Sequence, residues 1–247
     1  MIRSLRFAIA APLALALAAC GSSDIAESTD LEGDAIASVA APAGTQWRDV
    51  AEETADGGTL IGNPDAPLKL VEYGSLTCPT CARFSVEGSE PLMEYVDSGR
   101  VSFELRQFAI HGPIDITLGR LTKCGAAESV IPLSDQVWAN LETIMGTYQA
   151  NAEAFSQAME QPIDQRFVTG AERIGLLDFF AARGISEDQA RTCLADTAAI
   201  EKAAEFTQRY GSEFDISGTP TFQLNGQTVD ANTWSGLEPI LQRAGAR

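Results

Sequence analysis

Residues 68–75, LKLVEYGS, form a short, mostly apolar run behind the turn-rich GNPDAP, the pattern of a buried strand. Helical periodicity follows almost at once. Pro79 suits the first helical position, where its missing N–H would be unpaired anyway, so Cys78 becomes the N-cap and Cys81 the third helical residue. The pattern predicts a helix to about Ser98, kinked at Gly88 and Pro91. VSFELRQF at 101–108 reads as a second strand, with Glu104 and Arg106 on one face, and strand, helix and strand make a βαβ unit with parallel strands.

From Pro113 to about Gly211 the pattern is helical, without a convincing strand, and carries capping signals such as the box from Ser186 to Gln189. Strand character returns in GTPTFQLNGQTVDA at 218–231. There Asn225-Gly226, between two β-rich runs, signals a two-residue hairpin turn, and an amphipathic helix over 232–244 closes the chain. The expected fold is α/β over 47–247, its two halves, about 47–112 and 205–247, split by an all-helical insertion of about 113–204.

The N-terminus changes the setting. Residues 1–19, MIRSLRFAIAAPLALALAA, put Arg3 and Arg6 ahead of an apolar stretch too short to span a bilayer, which reads as a signal peptide. Leu17-Ala18-Ala19-Cys20 resembles the bacterial lipobox, in which the cysteine is lipidated and becomes the mature N-terminus; the alternative is an ordinary secretory site with a stray cysteine. Either way the expected location is outside the cytoplasm. Gly21, where an aspartate would favour the inner membrane, points to the outer one. Residues 20–46 hold five acids, no base and few bulky apolar side chains, and read as a lipidated N-terminus with a flexible acidic tether.

The chain of 247 residues is 45% hydrophobic, which excludes disorder throughout, and carries a formal charge of −17. Loss of Arg3 and Arg6 leaves 15 basic against 34 acidic residues and a charge of −19. Nucleic acid and anionic lipid headgroups are therefore poor partners, no nucleic acid is expected, and the membrane is reached only through the lipid.

Cys78-Pro79-Thr80-Cys81 carries the candidate chemistry. Two thiols at this spacing can bond to each other, bind a metal or attack a disulfide. The attacking species is the thiolate, and a helix N-terminus favours it by offering free N–H donors and the positive end of the dipole. Cys78 at that end is the accessible, acidic thiol and Cys81 its resolving partner.

The strand-to-helix Cys78-Pro79-Thr80-Cys81, the run Gly218-Thr219-Pro220-Thr221-Phe222, the Asn225-Gly226 hairpin and the helical insertion together resemble the thioredoxin fold, and more closely the DsbA-like thiol:disulfide oxidoreductases. The resemblance covers about 47–247 and implies a thioredoxin fold with an inserted helical subdomain. It further implies that Pro220 is cis, that Thr219 and Pro220 dock a client peptide beside Pro79 and Thr80, and that Glu72 is a buried acid exchanging a proton with Cys81. Arg106 would lie near Glu72. Thr80 stands where DsbA itself has a histidine and offers only a neutral hydrogen bond. The implied activity is disulfide exchange with exported proteins, as a dithiol oxidase, served by a redox partner and needing no organic cofactor. The alternatives are a reductase or isomerase of the same fold, and a CxxC module that binds metal or staples a loop.

Cys124 and Cys193 remain. In an oxidising compartment a bridge is the natural end for such a pair, against the alternative of two buried free thiols. His111, the single histidine, reads as a turn residue packing its ring rather than a partner of the disulfide. Cys78, Cys81 and one distant histidine do not make a zinc site, and no metal is expected.

Overall fold

The computed structural model describes residues 31–247. Residues 1–30, and with them the expected signal peptide and lipidation at Cys20, lie outside the described residues.

Six strands form one sheet in the order β1-β2-β4-β3-β5-β6. They are β1 (Ala51–Glu53), β2 (Thr59–Gly62), β3 (Leu68–Gly74), β4 (Val101–Gln107), β5 (Thr221–Leu224) and β6 (Gln227–Val229). β3 and β4 run parallel, joined by α1 (Pro79–Asp97), as the βαβ pattern requires. β5 returns antiparallel to β3, pairing Phe222 with Glu72, and β6 turns back along β5. Asn225 and Gly226 hold the turn with φ of 51° and 81°, the positive values a two-residue hairpin demands. The sheet therefore has β3 inside it, paired on both sides.

Alternation divides the sheet faces. Leu68, Leu70, Phe103 and Leu105 join the large core shared with α1, whereas Val71 and Tyr73 join a smaller cluster with Tyr210. α10 (Trp234–Arg243) closes the first face against α1, and Gly88 is where it approaches: a Cβ there would lie 3.1 Å from Trp234. α1 is one element from Pro79 to Asp97, running through Gly88 and Pro91. It ends at Gly99 with φ 71°, where a Cβ would meet the carbonyl oxygen of Val39.

The helical segment contains α2 (Pro113–Thr122), α3 (Val130–Ala139), α4 (Leu141–Ala150), α5 (Ala152–Met159), α6 (Ile163–Arg173), α7 (Leu176–Ala181), α8 (Glu187–Ala195) and α9 (Thr197–Glu213). The expected boundary at 204/205 falls inside α9. That helix runs on to Glu213 because its last turns pack Phe206 and Tyr210 against the Tyr73 side of the sheet.

Two further differences have physical reasons. β1 and β2 were not foreseen, because three- and four-residue strands are too short to show a period; β2 is held by antiparallel pairing to β4. The expected tether to residue 46 is also too long. Residues 31–46 lie along the domain, with Gly33 N–H donating to Arg243 O, Ile36 N–H to Gly245 O and Val39 N–H to Ser98 O, each at 2.9 Å. Leu31, Ile36 and Ala41 pack on the core, and the Trp47 indole donates to Val39 O. A few spaced apolar residues suffice to dock a segment whose average composition is polar.

Candidate active site

Cys78 is the N-cap of α1. Its Sγ accepts the Cys81 N–H at 3.4 Å and lies 3.3 Å from the carbonyl oxygen of Thr219. The Thr219-Pro220 peptide is cis, and pairing of β5 with β3 brings Thr219 to Cys78 from 141 residues downstream in the chain. Pro220 is buried, Thr219 and Thr80 are half-buried, and Pro79 is exposed. The Thr219 hydroxyl oxygen is buried without a hydrogen-bond partner.

The two thiols are chemically unequal. Cys78 is lowered to about 5, first by hydrogen bonding from the Cys81 side chain, against the opposing effect of burial, and further by Thr219 and the backbone N–H groups of Cys81 and Thr80. Burial pushes Cys81 far up, and its bond to Cys78 and the charges of Glu72 and Cys78 add to that. Accessibility separates them much less: Cys78 is 6% exposed and Cys81 0%. The expectation of a freely accessible Cys78 is thus corrected. Both sulfurs sit under the loop, and acidity is what distinguishes them.

Glu72 lies inside the sheet at 1% exposure, and its Oε1 has no hydrogen-bond partner. Burial holds its carboxyl well above the usual range, with Asp135 and Cys78 adding in that order. A buried carboxyl with a raised pKa, whose charge Cys81 feels, is suited to giving up and retaking a proton there. Arg106 is not near it. The parallel register pairs Arg106 with Tyr73 and Leu105 with Glu72, so the arginine faces the opposite side of the sheet. It donates there to Glu104, to Asp56 at 2.9 Å and to the Tyr73 hydroxyl at 2.9 Å.

Asp115 was missed by sequence reasoning. Its buried carboxylate accepts from the Ser75 hydroxyl, from both the N–H and the hydroxyl of Thr77, and from the His111 N–H, at 2.9 to 3.1 Å. The Trp138 indole donates to Ser75 O at 3.0 Å. The loop that delivers Cys78 is therefore clamped from α2 and α3. His111 is tied into this clamp rather than packed: its Nδ1 lies 2.6 Å from Thr77 Oγ1, with the side chain 54% exposed. In sequence Asp115 is an ordinary first-turn acid, and only the polar Ser75 and Thr77 of an otherwise apolar stretch hint at a partner.

Cys124, just past α2, is bonded to Cys193 on α8, at a distance from the CxxC pair in the chain. Among the described residues no group of three or more His, Cys, Asp or Glu side chains is placed to hold a metal ion. No helix among them is long and apolar enough to cross a membrane.

A family model described as Thioredoxin matches residues 54–243. A solved structure described as a protein-disulfide isomerase from Novosphingobium aromaticivorans is 32% identical, covers 77% of this chain and 99% of its own, and superposes with a TM-score of 0.70. The alpha-DsbA1 of Wolbachia pipientis, 18% identical with a TM-score of 0.58 over 76% of this chain and 91% of its own, shares the fold. A curated relative described as a putative protein-disulfide oxidoreductase from Rickettsia bellii is 23% identical over 186 residues, 75% of this chain. The match covers 63% of that relative, so the chain spans less than two thirds of its length.

Proposed function

Because the chain belongs to the thioredoxin family, we propose that it is a DsbA-like thiol:disulfide oxidoreductase that exchanges disulfides with exported proteins, acting in the dithiol-oxidase direction outside the cytoplasm. The inequality of the two thiols carries this reading. A bridge that only staples a loop has no use for one sulfur held as thiolate and the other held as thiol. The names of the Rickettsia relative and the Novosphingobium protein support the same chemistry.

In the oxidase direction a client thiolate attacks Cys78 Sγ of the Cys78–Cys81 disulfide, forming a mixed disulfide and expelling the Cys81 thiolate. Glu72 supplies the proton that this buried sulfur needs. A second client thiolate then attacks the client sulfur of the mixed disulfide. Cys78 leaves as a thiolate, well suited to that by its acidity, and the client departs with its disulfide. The enzyme is left as a dithiol, and a redox partner must remove the two electrons. The backbone of Thr219 is placed to pair with an extended client beside Cys78, over the surface of Pro79 and Thr80.

Stabilising the Cys78 thiolate stabilises the reduced enzyme, which favours handing the disulfide to the client. The isomerase named for the 32% identical structure favours a second reading, reduction or reshuffling of client disulfides by the same pair. The equilibrium redox potential of the mature protein against glutathione tests the direction. A potential near the strongly oxidising end of about −120 mV supports the oxidase, and one near about −270 mV the reductase.

Glu72→Gln is expected to leave Cys78 alkylation intact and to slow the step in which Cys81 leaves or returns, about tenfold or more, within the usual range for general acid–base catalysis. Stopped-flow tryptophan fluorescence of the isolated exchange step with a model peptide reads this. An unchanged rate between pH 6 and 8 removes Glu72 from the mechanism.

The domain limits proposed are a signal peptide at 1–19, a lipidated Cys20 and a linker that docks from residue 31 onward, with the outer membrane as destination. Cys20→Ser is expected to move the protein from the membrane pellet to the soluble envelope fraction. Retention in the pellet as firm as the wild type's rejects the anchor.

A further inference from the structure

At the ends of β3 and β4, beside the loop that leads to Cys78, α2 and α9 line a cavity of about 230 Å³. Its apolar wall is aromatic, from Phe108, Phe206 and Tyr210, and Ala199 and Ala203 leave the space open on the α9 side. Three cations line it, Arg120, Lys123 and Lys202, against three carboxylates, Glu53, Asp115 and Asp196, of which Asp115 is already engaged by Ser75, Thr77 and His111. In a chain of charge −17 this is a wall where cations match carboxylates in number.

The cations are not equally satisfied. Lys123 donates to Gly57 O at 2.7 Å and has Glu53 3.6 Å away. Lys202 lies 5.4 Å from the Phe206 ring centroid, without a carboxylate within ion-pair distance among the described residues. Arg120 is the least compensated. One terminal nitrogen reaches Cys193, its Nε is buried with no partner, and no carboxylate lies within ion-pair distance of it among the described residues. Burial lowers the pKa of both Arg120 and Lys123, the direction expected for cations held out of water. Unpaired buried charge is costly, and an arriving anion would relieve that cost.

We propose that this cavity binds a small aromatic carboxylate, its ring against Phe206 and Tyr210 and its carboxylate on Arg120 and Lys202. The volume is below the roughly 300 to 1,000 Å³ of drug-sized pockets, which limits the occupant to about a single ring with its substituent. The planar guanidinium fork matches a carboxylate, and a flat apolar body fills the aromatic side. Leu76 and Asp115 on its wall adjoin the loop that carries Cys78, so binding is read directly by chemical shift rather than through disulfide exchange.

Benzoate is the probe. Titrated into the mature protein with the Cys124–Cys193 bridge intact, it is expected to give saturable amide NMR shifts at Ala109, Ile116, Ala199 and Thr207 with one-to-one stoichiometry. Arg120→Gln should weaken binding roughly ten- to hundredfold, the range for losing a hydrogen bond to a charged group. Lys202→Gln, on an exposed position that folding does not depend on, should weaken it several-fold, and Ala203→Phe should abolish it by filling the space. Acetate, lacking the ring, and benzamidine, carrying the opposite charge, should not saturate through the millimolar range. Benzamidine shifts equal to those of benzoate, or unchanged benzoate affinity in Lys202→Gln and Ala203→Phe, would overturn the proposal whatever the exchange assays show.

Discussion

Cys81→Ser is expected to accumulate mixed disulfides between Cys78 and client proteins, while Cys78→Ser loses exchange altogether, by about a thousandfold or more. The asymmetry follows from the site. Cys78 Sγ is the sulfur facing the Thr219 carbonyl, where an extended client would lie, and it is the one stabilised as thiolate. Cys81 is fully buried beneath it and held as a thiol, so it can act only on a disulfide already formed at Cys78. Removing Cys81 leaves no enzyme disulfide for a client thiolate to attack, but the Cys78 thiolate can still attack a client disulfide, and exchange then halts at the unresolved mixed disulfide. Removing Cys78 stops it before any bond forms. Non-reducing electrophoresis after acid quenching reads both variants at once, with insulin reduction or peptide oxidation as the activity assay. Equal trapping by the two variants, or none by either with activity retained, would make CPTC a structural staple.

How much of this was legible in the sequence depended on how far apart the interacting residues lie. Cys78 at the N-cap could be read from its neighbour Pro79, because a cap is a local arrangement of four residues, and the structure places its sulfur on the Cys81 N–H accordingly. The hairpin at Asn225-Gly226 was local in the same way. Whether Glu72 sits at an edge or inside the sheet was not local. Its burial depends on β5 inserting beside β3, some 150 residues later in the chain, as the pairing with Phe222 shows. Alternation put Glu104 and Arg106 on one face, yet only the parallel register decides that this face is Tyr73's rather than Glu72's. Asp115 reaches back to residues 75 and 77 across the sheet-to-helix turn, and nothing about its own surroundings in the sequence marks it. The docking of residues 31–46 was hidden for another reason: composition averages over a segment, whereas a few backbone bonds and Leu31, Ile36 and Ala41 decide where it lies.

The acidity of Cys78 has a second consequence, visible in pH dependence. Iodoacetamide alkylation of the reduced protein is expected to rise with a midpoint of about 5 at Cys78 and to remain negligible at Cys81 across the neutral range. The shape of the profile is the diagnostic, not the rate at neutrality. At pH 7 an ordinary thiol of pKa about 8.5 is only about 3% thiolate, but the roughly thirtyfold gain of Cys78 is cancelled by its weaker nucleophilicity at a Brønsted slope of about 0.4 to 0.5. At pH 5.5 the ordinary thiol is about 0.1% ionised and Cys78 about three-quarters, which leaves a net advantage of roughly twentyfold. Stability follows the same proton. A lowered pKa stabilises the reduced, folded state by an amount fully present above the unfolded thiol's value of about 8.5 and lost as the pH falls through about 5, because between those values the unfolded chain carries the extra proton. The oxidised form has no thiol at this position to titrate. The difference in Tm between reduced and oxidised protein should therefore shift against the reduced form as pH is lowered from about 8 to about 4, with the last of the change near 5. An alkylation midpoint near 8.5, or a Tm difference that does not move over that range, would show that the N-terminus of α1 and its donors do not hold Cys78 as a thiolate.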